Sequence, residues 1–187
     1  MSEITVKERA ARIKLLLMDV DGVWTDGKLY YAPGPDGAMR ETKAFDTQDG
    51  ISLRWLVWKG VKTGVISGRD SAATEMRARQ LEVSYIYQGH IEKIPIFEEI
   101  LSKAGVTPEQ VAYVGDDLTD AVIMRRVGLA IATANARGEV KRMAHWVTEN
   151  PGGHGAIREV VELLLKAQGT WKEILEKYEV EQVADEG

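Results

Sequence analysis

Short apolar runs at residues 14–20, 61–66, 84–87, 111–114 and 129–132 alternate with stretches of helical periodicity. No other feature restricts the possible folds as much. Continuous apolar runs of this length suit strands buried on both faces, and strands separated by helices are joined as parallel neighbours by crossovers. The expectation is an α/β fold, a Rossmann-like parallel sheet with helices on both faces. In such sheets ligands bind beyond the carboxyl ends of the strands, so the polar residues that close each run are the first candidates for chemistry.

Between these runs, Thr5 with Glu8 reads as a capping box for a short first helix. A helix is expected over residues 48–59, closed by Gly60, and another over 71–81. Phe97, Ile100, Leu101 and Ala104 form an apolar helical stripe that Gly105 stops. Residues 118–127 are expected to be helical, as are the stretch bearing Ile157, Val160, Val161 and Leu164 and a terminal helix at about 170–180, opened by Thr170 and Glu173. An acidic, frayed tail follows. Residues 27–45, with Pro33-Gly34-Pro35-Asp36-Gly37 at the centre, read as a β-hairpin inserted after the first strand. Tyr30 and Tyr31 in that hairpin are read as packing residues, and Trp24, Trp55 and Trp58 as packing or interface residues.

With 187 residues the chain suits a single domain spanning 1–187, with room for the hairpin and none for a cap domain. A net charge of -5 without a basic stripe speaks against nucleic acid as a partner. The absence of cysteine excludes thiolate nucleophiles and thiolate metal sites. No apolar run is long enough for a membrane span, and the N-terminus lacks the layout of a signal peptide, so cytoplasmic residence is expected.

The strand ends carry a converging set. Asp19 and Asp21 end the first run, and period-two geometry is expected to point both carboxylates the same way. Ser67 ends the second run, Lys93 opens the helix after the third, and Asp116 and Asp117 end the fourth. Counting Asp19, Asp21, Asp116 and Asp117 against Lys93 gives -4 + 1 = -3, which calls for a divalent cation before any anionic substrate can enter. Oxygen-only ligands select Mg²⁺. A carboxylate could then attack a phosphoryl group and form an aspartyl-phosphate. The histidines His90, His145 and His154 are not placed among the metal ligands.

These motifs, in this order, resemble the haloacid dehalogenase superfamily: Asp19-Val20-Asp21-Gly22, Val65-Ile66-Ser67-Gly68, Lys93, and Gly115-Asp116-Asp117. The resemblance implies Asp19 as nucleophile and Asp21 as acid and base. It implies Ser67, Gly68 and Lys93 as phosphate ligands, and Asp19, Asp116 and the Asp21 main-chain carbonyl as Mg²⁺ ligands. Asp117 and Asp120 would hold metal-bound waters.

Longer stretches, Asp19 through Gly27, Tyr87-Gln88-Gly89, Val111 through Leu118 and Gly152 through Glu159, are similar to the capless 3-deoxy-D-manno-octulosonate 8-phosphate phosphatase group. That likeness implies lipopolysaccharide biosynthesis and a homotetramer whose hairpins close neighbouring sites. It assigns Thr25, Asp26 and Arg69 to the substrate; Arg69 suits a sugar carboxylate because a guanidinium binds carboxylates in two-point fashion. The pattern departs at Asp70, where lysine is expected, and at His154, where arginine is expected. A nonulosonate 9-phosphate is the alternative substrate. From other classes, a receiver-like phosphoacceptor and a non-catalytic partner of a cytidylyltransferase are the competing readings.

Overall fold

The computed structural model describes residues 4–180. The acidic tail expected past the last helix lies outside them. Helix α1 (Val6–Ala10) starts at Thr5, whose hydroxyl accepts the Glu8 amide at 3.2 Å while the Glu8 carboxylate accepts the Thr5 amide at 2.8 Å, the expected capping box. Strand β1 (Leu15–Met18) follows, buried at every position. Strands β2 (Tyr30–Pro33) and β3 (Met39–Thr42) pair antiparallel as a separate two-stranded sheet, the expected hairpin.

Helix α2 (Thr47–Trp58) is capped by Asp46, and strand β4 (Lys62–Ile66) follows it. Next come α3 (Ala72–Gln80), β5 (Tyr85–Tyr87) and α4 (Lys93–Ala104), which ends at Gly105 with φ 68°. Strand β6 (Val111–Gly115), helix α5 (Ala121–Met124), strand β7 (Leu129–Ala132), helix α6 (Gly138–Met143), strand β8 (Trp146–Val147) and helices α7 (Ala156–Ala167) and α8 (Trp171–Lys177) complete the order.

Six strands form one parallel sheet in the order β5-β4-β1-β6-β7-β8. Successive residues of β1 enter opposite layers, as the pleat requires. Leu16 and Met18 pack in the layer that holds Leu53 and Leu56 of α2, Val161 and Leu164 of α7, and Ile174 of α8. Leu15 and Leu17 pack with Phe97 and Ile100 of α4, Ile123 of α5 and Val140 of α6. Each such buried side chain contributes about 1.5–3 kcal/mol. Because both faces are covered, the open end of the sheet beyond Met18, Ile66 and Gly115 is where polar side chains gather.

Three expectations are corrected. The helix expected over 118–127 shortens to Ala121–Met124, because the Asp120 carboxylate accepts the Asp116 and Asp117 amides and folds that stretch into a turn. Thr170 makes no capping bond to the Glu173 side of its helix. Its hydroxyl donates to the Leu165 carbonyl at 3.4 Å, and Glu173 pairs with Lys59 instead. Tyr30 and Tyr31 are not packed within the described residues but 40% and 55% exposed.

Helix α7 begins at Gly155, which has no side chain to cap it. The cap comes from α2: the buried Asp49 carboxylate accepts the Arg158 amide at 2.8 Å and the Gly155 amide at 3.3 Å. The loop before α7 braces the turn after β1. Gly152 lies so close to the Gly22 carbonyl that a Cβ would come within 2.0 Å of its oxygen. The Asn135 amide nitrogen donates to that same carbonyl at 2.9 Å, while Asn135 Oδ1 accepts the Gly152 amide at 2.6 Å. The glycine pair therefore positions the loop carrying Asp21 and Gly22.

Candidate active site

Strand β1 ends at Met18, so Asp19 and Asp21 lie just past it, and the strand's alternation is not what brings them together. The Asp19 amide still donates to Val114 O at 3.0 Å, which holds it against β6. A tight turn follows, in which the amides of Val23, Trp24 and Thr25 all donate to Val20 O. Both carboxylates line one cavity of about 330 Å³, with Ser67, Gly68, Arg69, Lys93, Asp116 and Asp117. Gly27, Ile91 and Thr119, which the sequence reading did not single out, complete its wall.

Lys93 is buried at the floor. Its ammonium lies 3.2 Å from Asp19 Oδ2 and donates to Asp120 Oδ1 at 2.7 Å and to the Tyr113 hydroxyl at 3.2 Å. Burial works against the charge, but Asp19 and Asp120 outweigh it and hold Lys93 above the ordinary lysine value. Asp120 is fully buried and saturated. Oδ1 also accepts the Tyr113 hydroxyl at 2.7 Å, and Oδ2 accepts the Asp116 and Asp117 amides at 2.9 and 3.2 Å. With four donors in place, it orients Lys93 and the turn after β6 and has no lone pair left for a metal ion.

Asp116 differs. Its Oδ1 is buried without a hydrogen-bond partner. Its Oδ2 occupies the space beside Gly22, where a Cβ would stand 2.1 Å away. Burial first, then the charges of Asp120, Asp19 and Asp117, push its carboxyl up to about 7. Burial and the Asp120 charge likewise push Asp19 up to about 6, Lys93 offsetting part of the effect. Carboxylate oxygens of Asp19, Asp116 and Asp120 lie within 4.8 Å of one another. Since Asp120 is saturated, an oxygen-seeking divalent cation fits Asp19 and Asp116.

Two residues of the hairpin strand β3 and its exit reach this site, and neither was anticipated. Lys43, its side chain only 1% exposed, forms an ion pair with Asp21 Oδ1. Glu41 pairs with Arg69 and lies 3.6 Å from the Lys43 ammonium. No local pattern marks Lys43, 22 residues from Asp21 and just past a polar strand. Counting Asp120 and Lys43 as well, five aspartates face two lysines, and the balance of -5 + 2 = -3 is unchanged.

Other expected residues lie elsewhere. Thr25 is buried, its hydroxyl donating to Val20 O at 3.2 Å and accepting the Gly27 amide at 3.3 Å. Asp26 accepts the Tyr30 hydroxyl at 2.7 Å and the Lys28 amide at 3.0 Å. Neither lines the cavity, and both tie the hairpin to the turn after β1. Ser67 is buried at the end of β4, where its Oγ accepts the Arg69 amide at 3.2 Å and keeps its own hydrogen to donate. Asp117 is exposed at the rim and accepts the Leu118 amide at 2.7 Å. Asp70 and His154, the two departures from the expected pattern, are exposed and do not line the cavity.

The family model for haloacid dehalogenase-like hydrolases matches residues 53–160. The chain belongs to that family. Among relatives of these hydrolases, it is 44% identical over 163 residues to the 3-deoxy-D-manno-octulosonate 8-phosphate phosphatase KdsC of Yersinia pestis, covering 87% of this chain and 85% of that one. Its fold is similar to the probable YrbI family phosphatase of Pseudomonas syringae, with TM-score 0.88 and 42% identity over 95% of this chain and 98% of that one. It is also similar to the 3-deoxy-D-manno-octulosonate 8-phosphate phosphatase of Moraxella catarrhalis in complex with a magnesium ion, a phosphate ion and KDO. There the TM-score is 0.87 and the identity 37%, over 92% and 97% of the two chains.

Proposed function

We propose that this chain is a magnesium-dependent phosphomonoesterase that hydrolyses 3-deoxy-D-manno-octulosonate 8-phosphate to the free sugar acid and phosphate. The observation that carries this reading is the cavity floor. There Asp19 lies 3.2 Å from the buried Lys93 ammonium, beside a buried, partnerless Asp116 oxygen. The high identity to octulosonate 8-phosphate phosphatases supports the substrate.

Asp19, Asp116 and the main-chain carbonyl of Asp21 would hold Mg²⁺, and Asp117 would hold metal-bound water. Bound there, Mg²⁺ neutralises phosphoryl charge. The saturated Asp120 keeps its role behind the site through Lys93. Lys93 and the Ser67 hydroxyl, with Gly68 beside it, bind phosphoryl oxygens and leave phosphorus open to Asp19 in line. As the Asp19 oxygen bonds to phosphorus, the bond to the sugar oxygen breaks, and Asp21 gives its proton to the departing alkoxide. Asp21 then takes a proton from water, whose oxygen attacks phosphorus and frees Asp19.

Arg69, the cation at the cavity's outer side, is positioned to receive the sugar carboxylate. Thr25 and Asp26 act on the substrate only through the turn and hairpin they hold. Since Asp70 and His154 do not line the cavity, their departures subtract no cation from it, and the octulosonate is favoured over a nonulosonate 9-phosphate. The receiver-like alternative fits poorly because Asp21 lines the cavity with Asp19, which gives turnover its acid and base.

The chain is proposed to act as one domain over 1–187, in the cytoplasm and in lipopolysaccharide biosynthesis. Among the described residues no helix is long and apolar enough to cross a membrane. A homotetramer in which hairpins close neighbouring sites is supported by exposed Leu29, Tyr30, Tyr31 and Met39 on the hairpin. A phosphate-release screen with Mg²⁺ over octulosonate 8-phosphate, nonulosonate 9-phosphates and hexose phosphates tests the assignment. A strong preference for the octulosonate is expected; equal release from hexose phosphates, which lack a carboxylate, or no release, would contradict it.

A further inference from the structure

The two cations among the described residues lining the cavity are Lys93 and Arg69. Lys93 is committed to Asp19 and Asp120 at the floor. A second anionic group on a phosphorylated substrate must therefore turn to Arg69. Arg69, however, is already engaged: its guanidinium pairs with Glu41 from strand β3. The pair lies at the cavity's mouth, with the Arg69 side chain 45% exposed and that of Glu41 17% exposed.

A carboxylate held on a guanidinium presents the same chemistry as a sugar-acid carboxylate bound there. We propose that Glu41 is a specificity-determining residue, an internal stand-in for the substrate carboxylate that must leave Arg69 before a carboxylated substrate binds fully. This rests on the reading of Arg69 as the carboxylate's partner. It adds a competitor supplied by the chain itself, and with it a link between substrate charge and the hairpin.

The remaining contacts of Glu41 favour displacement. Its second oxygen, Oε1, is buried without a hydrogen-bond partner and 3.6 Å from the Lys43 ammonium. Released from Arg69, Glu41 can close on Lys43, which β3 already brings beside it, so the displaced charge is not stranded. An exposed ion pair is weak. A binding-competent state that is only partly populated reduces apparent affinity by that fraction. Removing the competitor should therefore improve apparent affinity by about twofold to fivefold, and only for substrates that bring a carboxylate.

The test is steady-state kinetics of the full chain with Mg²⁺, using octulosonate 8-phosphate and, as an ester without a carboxylate, p-nitrophenyl phosphate. Glu41→Gln and Glu41→Ala are each compared with the parent, alone and in an Arg69→Ala background. The expected result is a KM for the octulosonate lowered about twofold to fivefold, an unchanged KM for the aryl ester, and no effect of Glu41→Gln once Arg69 is removed. If Arg69→Ala raises the octulosonate KM but the Glu41 variants leave it unchanged, raise it, or shift both esters equally, the competitor role is refuted and the reading of Arg69 stands. If Arg69→Ala leaves the octulosonate KM unchanged, Arg69 does not hold the carboxylate and both fail.

Discussion

Asp49 carries a charge inside the protein that the fold uses to cap α7, and its removal has a consequence that depends on pH. Its side chain is fully buried, and burial pushes the carboxyl from 3.8 up to about 6, although the Arg158 and Gly155 amides favour the ionised form. The folded state thus holds this proton more tightly than the unfolded chain does. The stability this confers is present in full below pH 3.8 and is lost as pH rises through about 6. A shift of roughly two units corresponds to about 3 kcal/mol.

Asp49→Asn removes the titration and keeps one acceptor for the α7 amides. Urea unfolding of parent and variant, followed by tryptophan fluorescence at pH 4 and pH 7 with and without Mg²⁺, isolates the effect, because shifts at Asp19 and Asp116 are common to both proteins. The stability of the parent relative to Asp49→Asn should fall by about 2 kcal/mol between the two pH values, since pH 4 lies just above the unfolded value of 3.8. A difference that does not change with pH, or that grows in the parent's favour, would refute the buried-carboxyl account of this cap.

Lys43→Met leaves Asp21 without its counter-charge. It should lower kcat for the sugar phosphate about tenfold or more, with Lys43→Arg restoring part of the loss; an unaltered kcat would show that Asp21 does not depend on the hairpin. Tyr113→Phe takes one of four donors from Asp120 and an acceptor from Lys93. It should cost about 1 kcal/mol of stability in urea unfolding and lower kcat a few-fold; no change in either would mean that the Lys93 and Asp120 pair alone orders the floor.

The sheet was legible because its strands are buried on both faces and so read as apolar runs, and Asp19, Ser67, Lys93 and Asp116 were legible because each ends a strand or opens the next helix. What escaped depends on distant partners. Lys43 reaches Asp21 only because the hairpin folds back over the cavity. Asp49 was hidden inside a helix whose apolar positions drew attention, yet it caps another helix more than 100 residues away. Residues 118–120 looked helical because periodicity does not register a carboxylate that competes for the backbone amides. The short α6 and β8 were missed for a simpler reason: α6 has no side-chain cap, and β8 has two residues. Thr25 and Asp26 were placed by likeness alone, and the structure gives both to the turn.

The central claim is that Asp19 carries the phosphoryl group, and trapping the phosphoenzyme tests it most directly. Mixing the chain with Mg²⁺ and octulosonate 8-phosphate, reducing with borohydride, and sequencing the peptides by mass spectrometry should find homoserine at position 19, the reduction product of an acyl phosphate there. Homoserine at another aspartate, or phosphate release at full rate with Asp19 unlabelled and with the Asp19→Asn protein still active, would contradict it.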